Sequence, residues 1–195
     1  MIDTPAIVVF DDDPTGTQTV HGVSVLTTWA VADLEKVLRT ERLFYLLTNS
    51  RALTSRESEA LHRGLMRNLL AAARTAGREI EIVSRSDSTL RGHYPLETDV
   101  IREELERASR PVDAELVIPF FGEGGRVTRD DVHYVIENDR PTPVSKTEFA
   151  RDSTFGYQHS NLREWIAEKT AGRIRAEDVG SVTLADIAAG SAAVA

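Results

Sequence analysis

Short apolar runs of strand length alternate along this chain with longer segments in which apolar residues recur every three or four positions. That alternation is the pattern of an α/β fold with an open, mostly parallel sheet flanked by helices. Residues 6–10 (AIVVF) are apolar on both faces, as a central buried strand must be. Residues 22–28 (GVSVLTT) alternate apolar with polar, and residues 43–48 (LFYLLT), 80–84 (IEIVS) and 115–120 (ELVIPF) read as the third, fourth and fifth strands. Between them, Val31, Leu34 and Leu38 share one helical face. Thr54-Ser-Arg-Glu57 has capping-box spacing, ahead of Leu61, Leu65, Leu69 and Ala72 and a stop at Gly77. Pro95 suits the first position of a helix carrying Leu96, Val100, Ile101 and Leu105.

After the fifth strand the alternation stops. Residues 127–128 and 133–136 around Asp130-Asp131 read as a small β-hairpin excursion, with Arg140-Pro-Thr-Pro143 as an irregular turn. A last helix is expected over 160–170, capped by Ser160 and closed by Gly172, and residues 182–184 begin another strand. The organisation expected is one domain over residues 1–180, with 181–195 starting a connection to something further.

Composition narrows the function. With 23 basic and 31 acidic residues the net charge is −8, so the basic footprint of a phosphate-backbone binder is missing and no nucleic-acid partner is expected. The absence of cysteine excludes a disulfide scaffold, a thiolate nucleophile and a zinc–cysteine site. None of the five histidines (His21, His62, His93, His133, His159) is paired at ligand spacing, so no metal site is expected on them. No apolar run approaches the roughly 18–20 residues of a membrane span, so a cytoplasmic chain without membrane contact is expected. Trp29 and Trp165 are expected in the core or against a partner.

In open parallel sheets ligands bind beyond the carboxyl ends of the strands. Four such ends are polar: Asp11-Asp12-Asp13-Pro-Thr15-Gly16-Thr-Gln18, Thr48-Asn49-Ser50-Arg51, Ser84-Arg-Ser-Asp87-Ser88-Thr89-Leu-Arg91-Gly92-His93, and Phe121-Gly122-Glu-Gly-Gly125-Arg126. Arg51, Arg91 and Arg126 offer forked, permanently charged donors for a carboxylate, and the aspartates and asparagine suit sugar hydroxyls. That combination fits a small polyhydroxylated anion. Asp12, Asp13 and Asp87 are the candidates to take a proton from a hydroxyl that attacks phosphorus. The plainer readings are a solvated aspartate turn and a helix cap at Thr-Asn-Ser-Arg. Gly122-Glu-Gly-Gly125 lacks the lysine and hydroxyl of a Walker loop, and no G-x-G-x-x-G follows a strand.

Two resemblances bear on these loops. Asp11-Asp-Asp13-Pro-Thr15 fits the D-x-D-x-T pattern of haloacid-dehalogenase-like phosphatases, in which Asp11 would be the nucleophile, Asp13 the acid and base, and Mg²⁺ would lie between them. That scheme also needs a later lysine and an acidic pair after an apolar strand, whereas Lys146 follows a proline-rich turn and Asp130-Asp131 sits in the hairpin. The second resemblance covers nearly the whole chain. Asp12-Asp13-Pro-Thr15-Gly16, Asp87-Ser88-Thr89-Leu90-Arg91-Gly92, and the later Gly125-Arg126-Val-Thr and Pro143-Val-Ser-Lys-Thr147-Glu-Phe-Ala-Arg-Asp152 are similar to the sugar-binding N-terminal domain of the four-carbon acid sugar kinase family. The first loop departs from the family by Pro14, where a leucine is common, and by the additional Asp11.

The resemblance implies an ATP-dependent kinase that phosphorylates the terminal hydroxyl of a threonate, erythronate or oxo-tetronate. ATP and Mg²⁺ would be held mainly by a nucleotide-binding C-terminal domain, in cis or in trans, that this chain does not contain. The implied site residues are Asp12, Asp13, Thr15, Gly16, Asp87, Ser88, Arg91 and Gly92, with Asn49, Ser50, Arg51 and Arg126 added by their strand-end placement. A homodimer and a non-enzymatic sugar-acid-binding protein are the further alternatives.

Overall fold

The first strand, β1 (Ala6–Asp11), has the buried, β-branched composition that a strand flanked on both sides requires, and it lies inside a four-stranded parallel sheet of order β2-β3-β1-β4. Its partners are β2 (Ser24–Leu26), β3 (Leu43–Leu47) and β4 (Ile80–Arg85). This computed structural model describes residues 4–190. Helices α1 (Val31–Thr40), α2 (Ser55–Ala76) and α3 (Leu96–Arg107) supply the apolar layer. Ala6, Val8, Phe10, Phe44, Leu46 and Ile80, all even-numbered and hence on one face of the sheet, pack with Leu34, Leu38, Leu65, Met66, Leu69 and Ile101 in a single core. Trp29 packs against that core. The capping box on α2 is present, with Thr54 Oγ1 accepting from Glu57 N and the Glu57 carboxylate accepting from Thr54 N, and Gly77 closes the helix at φ 62°. Helix α3 begins at Leu96, so Pro95 stands at the cap rather than inside the helix.

The chain divides into two compact units, one of residues 1–87 and 92–116, the other of residues 88–91 and 117–195. The second contains an antiparallel sheet of β5 (Arg126–Arg129), β6 (Val132–Glu137) and β7 (Arg140–Pro143). The hairpin expected from sequence is therefore present, and the expected turn at 140–143 is instead an edge strand, the one place where prolines fit a ladder. Helix α4 (Leu162–Lys169) is capped by Asn161, whose side chain accepts from Arg163 N and Glu164 N, and not by Ser160. Ser160 Oγ is occupied with Ser145. Trp165 is buried on α4.

Two expected strands do not form. Residues 115–120 pair with nothing among the described residues, and Leu116, Ile118 and Phe120 are 75%, 73% and 63% exposed. The run is apolar and β-prone, but Pro119 lacks the donor a ladder needs. Residues 182–184 run into α5 (Leu184–Ala189), because Thr183 and Asp186 form a second capping box that starts a helix. Residues 191–195, the end of the expected connection, lie outside the described residues. Among the described residues no helix is long and apolar enough to cross a membrane.

Candidate functional site

Because β1, β3 and β4 run parallel, their carboxyl ends arrive together and the polar loops that follow them converge. β1 ends in Asp11, and Asp12 follows; both are buried, at 0% and 2% exposure. Buried carboxylates need partners. Arg51, in the turn after β3, supplies them: its Nε donates to Asp12 Oδ2 at 2.9 Å, its Nη2 to Asp12 Oδ1 at 2.7 Å, and its Nη1 reaches Asp13 Oδ2 at 3.4 Å. Ser86 Oγ, just beyond β4, donates to Asp12 Oδ2 at 2.8 Å. Arg85 Nη1 donates to Asp11 Oδ1 at 3.2 Å and lies 3.6 Å from Asp12 Oδ1.

The backbone fixes the same arrangement. Thr48 N and Oγ1 each donate to the Asp11 carbonyl at 2.9 Å, and Arg51 N donates to the Asp12 carbonyl at 3.2 Å. Thr48 Oγ1 also lies 3.2 Å from Ser50 Oγ, which is buried, while Asn49 turns the chain at φ 51°. His93 Nε2 donates to the Ser50 and Leu53 carbonyls at 3.1 and 3.0 Å, tying the loop after β4 to that after β3. Thr15 N donates to Asp13 Oδ1 at 2.7 Å, which turns the first loop.

Two glycines are required by close approach. A Cβ on Gly16 would sit 2.1 Å from Asp11 Oδ1, so Gly16 lies directly over that carboxylate. Gly92 has φ +139°, and its Cβ would sit 2.2 Å from Ser86 Oγ and 3.4 Å from Asp12 Oδ2. Gly92→Ala is expected to cost about 2 kcal/mol of unfolding free energy from backbone strain and overpacking, read by urea denaturation. A loss below about 0.5 kcal/mol, the surface-substitution level, contradicts it.

Burial and partners set the charges. Burial pushes the Asp11 carboxyl up from 3.8 to about 6, against the pull of Arg85. Burial likewise raises Asp12, partly offset by the hydrogen bonds and charge of Arg51. At Asp13 a smaller burial penalty is outweighed by the hydrogen bonds of Thr15 and the charge of Arg51, which hold it below the usual carboxylate range. Of the three aspartates expected to do proton chemistry, Asp12 has both oxygens committed to Arg51. Asp13 and Asp87 are half-buried, and Asp87 lies close enough to Arg51 to raise its pKa.

The segment 88–91 packs with the second unit. The Ser88 carbonyl accepts from His133 Nε2 at 2.7 Å and the Thr89 carbonyl from Tyr157 Oη at 2.6 Å. Arg91 Nε donates to Thr89 Oγ1 at 3.2 Å, and its guanidinium lies 5.0 Å from the Phe149 ring centroid and 3.9 Å from Asp152. Arg126 lies 5.9 Å from the same ring, donates to the Gly124 carbonyl, and keeps a buried Nε with no hydrogen-bond partner. Backbone N–H groups of Phe155 and Thr154 hold Asp152 below the usual carboxylate range. Two arginines thus share the Phe149 ring.

The structure thus joins Asp12, Asp13, Thr15, Gly16, Asn49, Ser50, Arg51 and Gly92 around the first unit's strand ends. It joins Ser88, Arg91 and Arg126 in the second unit. Sequence reasoning passed over Asp11 and Arg85 as partners, the role of Ser86 and His93, and Phe149 and Asp152 beneath the arginines. The Gly122–Gly124 turn forms no phosphate cradle: Gly124 N and Gly125 N donate to the Phe121 and Gly122 carbonyls, and a Cβ on Gly125 would meet the Ile136 carbonyl at 2.5 Å.

Residues 7–195 match the family described as the sugar-binding N-terminal domain. The chain belongs to that family. It is the family that the Asp12–Gly16 and Asp87–Gly92 motifs resemble, the sugar-binding domain of four-carbon acid sugar kinases. A Bordetella bronchiseptica domain of unknown function (DUF1537), crystallised with bound citrate as a domain-swapped dimer, is 27% identical with a TM-score of 0.60, over 84% of this chain and 40% of that one. A Haemophilus influenzae protein of the same DUF1537 group shares the fold at 16% identity and a TM-score of 0.58, over 96% of this chain and 43% of that one. The chain therefore spans about two fifths of the length of these solved structures. No curated protein matches the sequence. The phosphatase scheme does not fit the geometry, since its nucleophile would be Asp11, which is fully buried beneath Gly16 and held by Arg85.

Proposed function

We propose that this chain is the acid-sugar-binding half of a cytoplasmic, ATP-dependent kinase that phosphorylates the terminal hydroxyl of a four-carbon sugar acid of the threonate, erythronate or oxo-tetronate type. The observation that carries this reading is the match to sugar-binding N-terminal domains over residues 7–195, supported by the carboxylate and arginine clusters at the strand ends. The citrate bound by the Bordetella relative supports a small, oxygen-rich anion as ligand. Asp12, locked by Arg51, positions the loop. Asp13 and Asp87 are the carboxylates that hold the hydroxyl and take its proton, with Thr15, Gly16, Asn49, Ser50 and Gly92 beside them at the first unit's strand ends. Ser88, Arg91 and Arg126 belong to the second unit, where the two arginines carry the forked charge that a carboxylate takes. ATP with Mg²⁺ supplies the phosphoryl group from a nucleotide-binding C-terminal domain, in cis or in trans. The domain-swapped dimer of the Bordetella relative supports a second copy of this chain as a further partner.

Calorimetry of the chain against a panel of four-carbon sugar acids tests the reading. Binding of at least one acid is expected, with no phosphate transfer from ATP by the chain alone; binding of none overturns it. Arg91→Ala is expected to lose about 1.5–3 kcal/mol of that binding, the value of a charge-assisted hydrogen bond. Unchanged affinity would move the carboxylate to Arg126.

A further inference from the structure

We propose that in a dimer of this chain residues 115–120 of each copy add as a fifth parallel strand to the free β4 edge of the other. The proposal rests on the reading of a second copy as partner and names the surface it uses. Among the described residues β4 has a neighbouring strand on one side only, β1. Ala6 N donates to the Glu79 carbonyl and Asp12 N to the Arg85 carbonyl, so odd-numbered residues of this strand turn their backbone groups toward β1. By alternation Ile80, Ile82 and Ser84 turn theirs outward. The Ile80 carbonyl is already taken by Arg110 Nη2 at 3.0 Å. The backbone groups of Ile82 and Ser84 have no hydrogen-bond partner among the described residues, and between them the Val83 side chain is 45% exposed.

Residues 115–120 carry the complementary half. Their backbone makes no hydrogen bond among the described residues, while three large apolar side chains at alternate positions, Leu116, Ile118 and Phe120, are the most exposed part of the run. With Ile118 opposite Val83, the Ile118 N–H and C=O meet the outward groups of Ile82 and Ser84, and the exposed Ile118 and Val83 side chains lie side by side on one face. The same register points the backbone of Pro119 away from β4. A proline on the new outer edge loses no ladder bond and blocks a sixth strand, so association stops at two copies. Because one chain carries both the edge and the strand, the contact is made twice about a two-fold axis.

The absence of native cysteine makes the test clean. Val83→Cys with Ile118→Cys places the two thiols on paired strands, within the Cα separation a disulfide spans. Oxidation is expected to give a covalent dimer on a non-reducing gel, and neither single variant should do so. Ile118→Pro, at an exposed position, is expected to weaken dimerisation at least tenfold by sedimentation equilibrium. A disulfide within a monomer, or a solution dimer that never crosslinks and is indifferent to Ile118→Pro, overturns the strand exchange; the second result leaves dimerisation itself standing. A chain that is monomeric and does not crosslink overturns both.

Discussion

Arg51→Ala is expected to lower the unfolding free energy at pH 7 by about 3–5 kcal/mol, the cost of leaving a buried charge without its counterion. The Asp12 side chain is 2% exposed, and two of its hydrogen bonds come from the Arg51 fork. Ser86 would then be the remaining hydrogen-bond donor of this buried carboxylate, with Arg85 3.6 Å away. Arg51→Lys is expected to recover only part of the loss, because an ammonium cannot reproduce the fork. Adding Asp12→Asn to Arg51→Ala is expected to restore more, since a neutral amide needs no counterion, and the double-mutant cycle gives the coupling directly. Urea denaturation of the parent, Arg51→Ala, Arg51→Lys, Asp12→Asn and the double variant is the measurement. A loss under about 1 kcal/mol for Arg51→Ala would class the pair with surface ion pairs and remove Asp12 as the anchor of the site.

That pair also marks how far the sequence reaches. Strands at residues 6–10, 43–48 and 80–84 and the helix opened by Thr54 and closed by Gly77 were legible because their signals are local: apolar composition, period, caps. Asp12, Asp13 and Arg51 were legible as site residues because parallel topology sends all strand ends to one edge. That Arg51 is consumed by Asp12 was not legible, since a guanidinium beside hydroxyls reads the same whether it awaits a ligand or neutralises a carboxylate. Arg85 was missed for a related reason: the expected strand stops at residue 84 and leaves Arg85 in the polar loop, whereas β4 runs through it and the register Asp11↔Arg85 brings it beside Asp11. Phe149 and Asp152 meet Arg91 across nearly sixty positions of sequence, a separation over which no local pattern carries. The run at 115–120 reads as a strand whether or not an edge is there to receive it, and Arg140-Pro-Thr-Pro143 reads as a turn unless β6 is known to lie beside it.

Asp11→Asn is expected to change the pH dependence of stability rather than merely its level. In the folded chain the Asp11 carboxyl titrates near 6, raised by burial from 3.8. Between about pH 4 and 6 the folded state therefore keeps a proton that the unfolded state has released, and stability falls as pH rises through that window. Above pH 6 both states are ionised and the loss is complete, at about 3 kcal/mol for a shift of this size. Arg85 meets one oxygen of the ionised group, while Oδ2 is buried with no hydrogen-bond partner beneath Gly16. Asparagine has the same shape and no charge to desolvate, so it removes this slope. Asp12, also raised, contributes in the same direction and remains in the variant. Asp13 and Asp152, both lowered, act in the opposite sense, their contribution being lost as pH falls below the ordinary aspartate range. The quantity to follow is thus the difference in unfolding free energy between Asp11→Asn and the parent chain at pH 4, 5, 6 and 7. It is expected to grow in favour of the variant by about 2.4 kcal/mol from pH 4 to pH 7, the remainder of the loss lying below pH 4. A difference that stays constant across the series would mean that Asp11 ionises at an ordinary pKa and that Gly16 does not seal it from water.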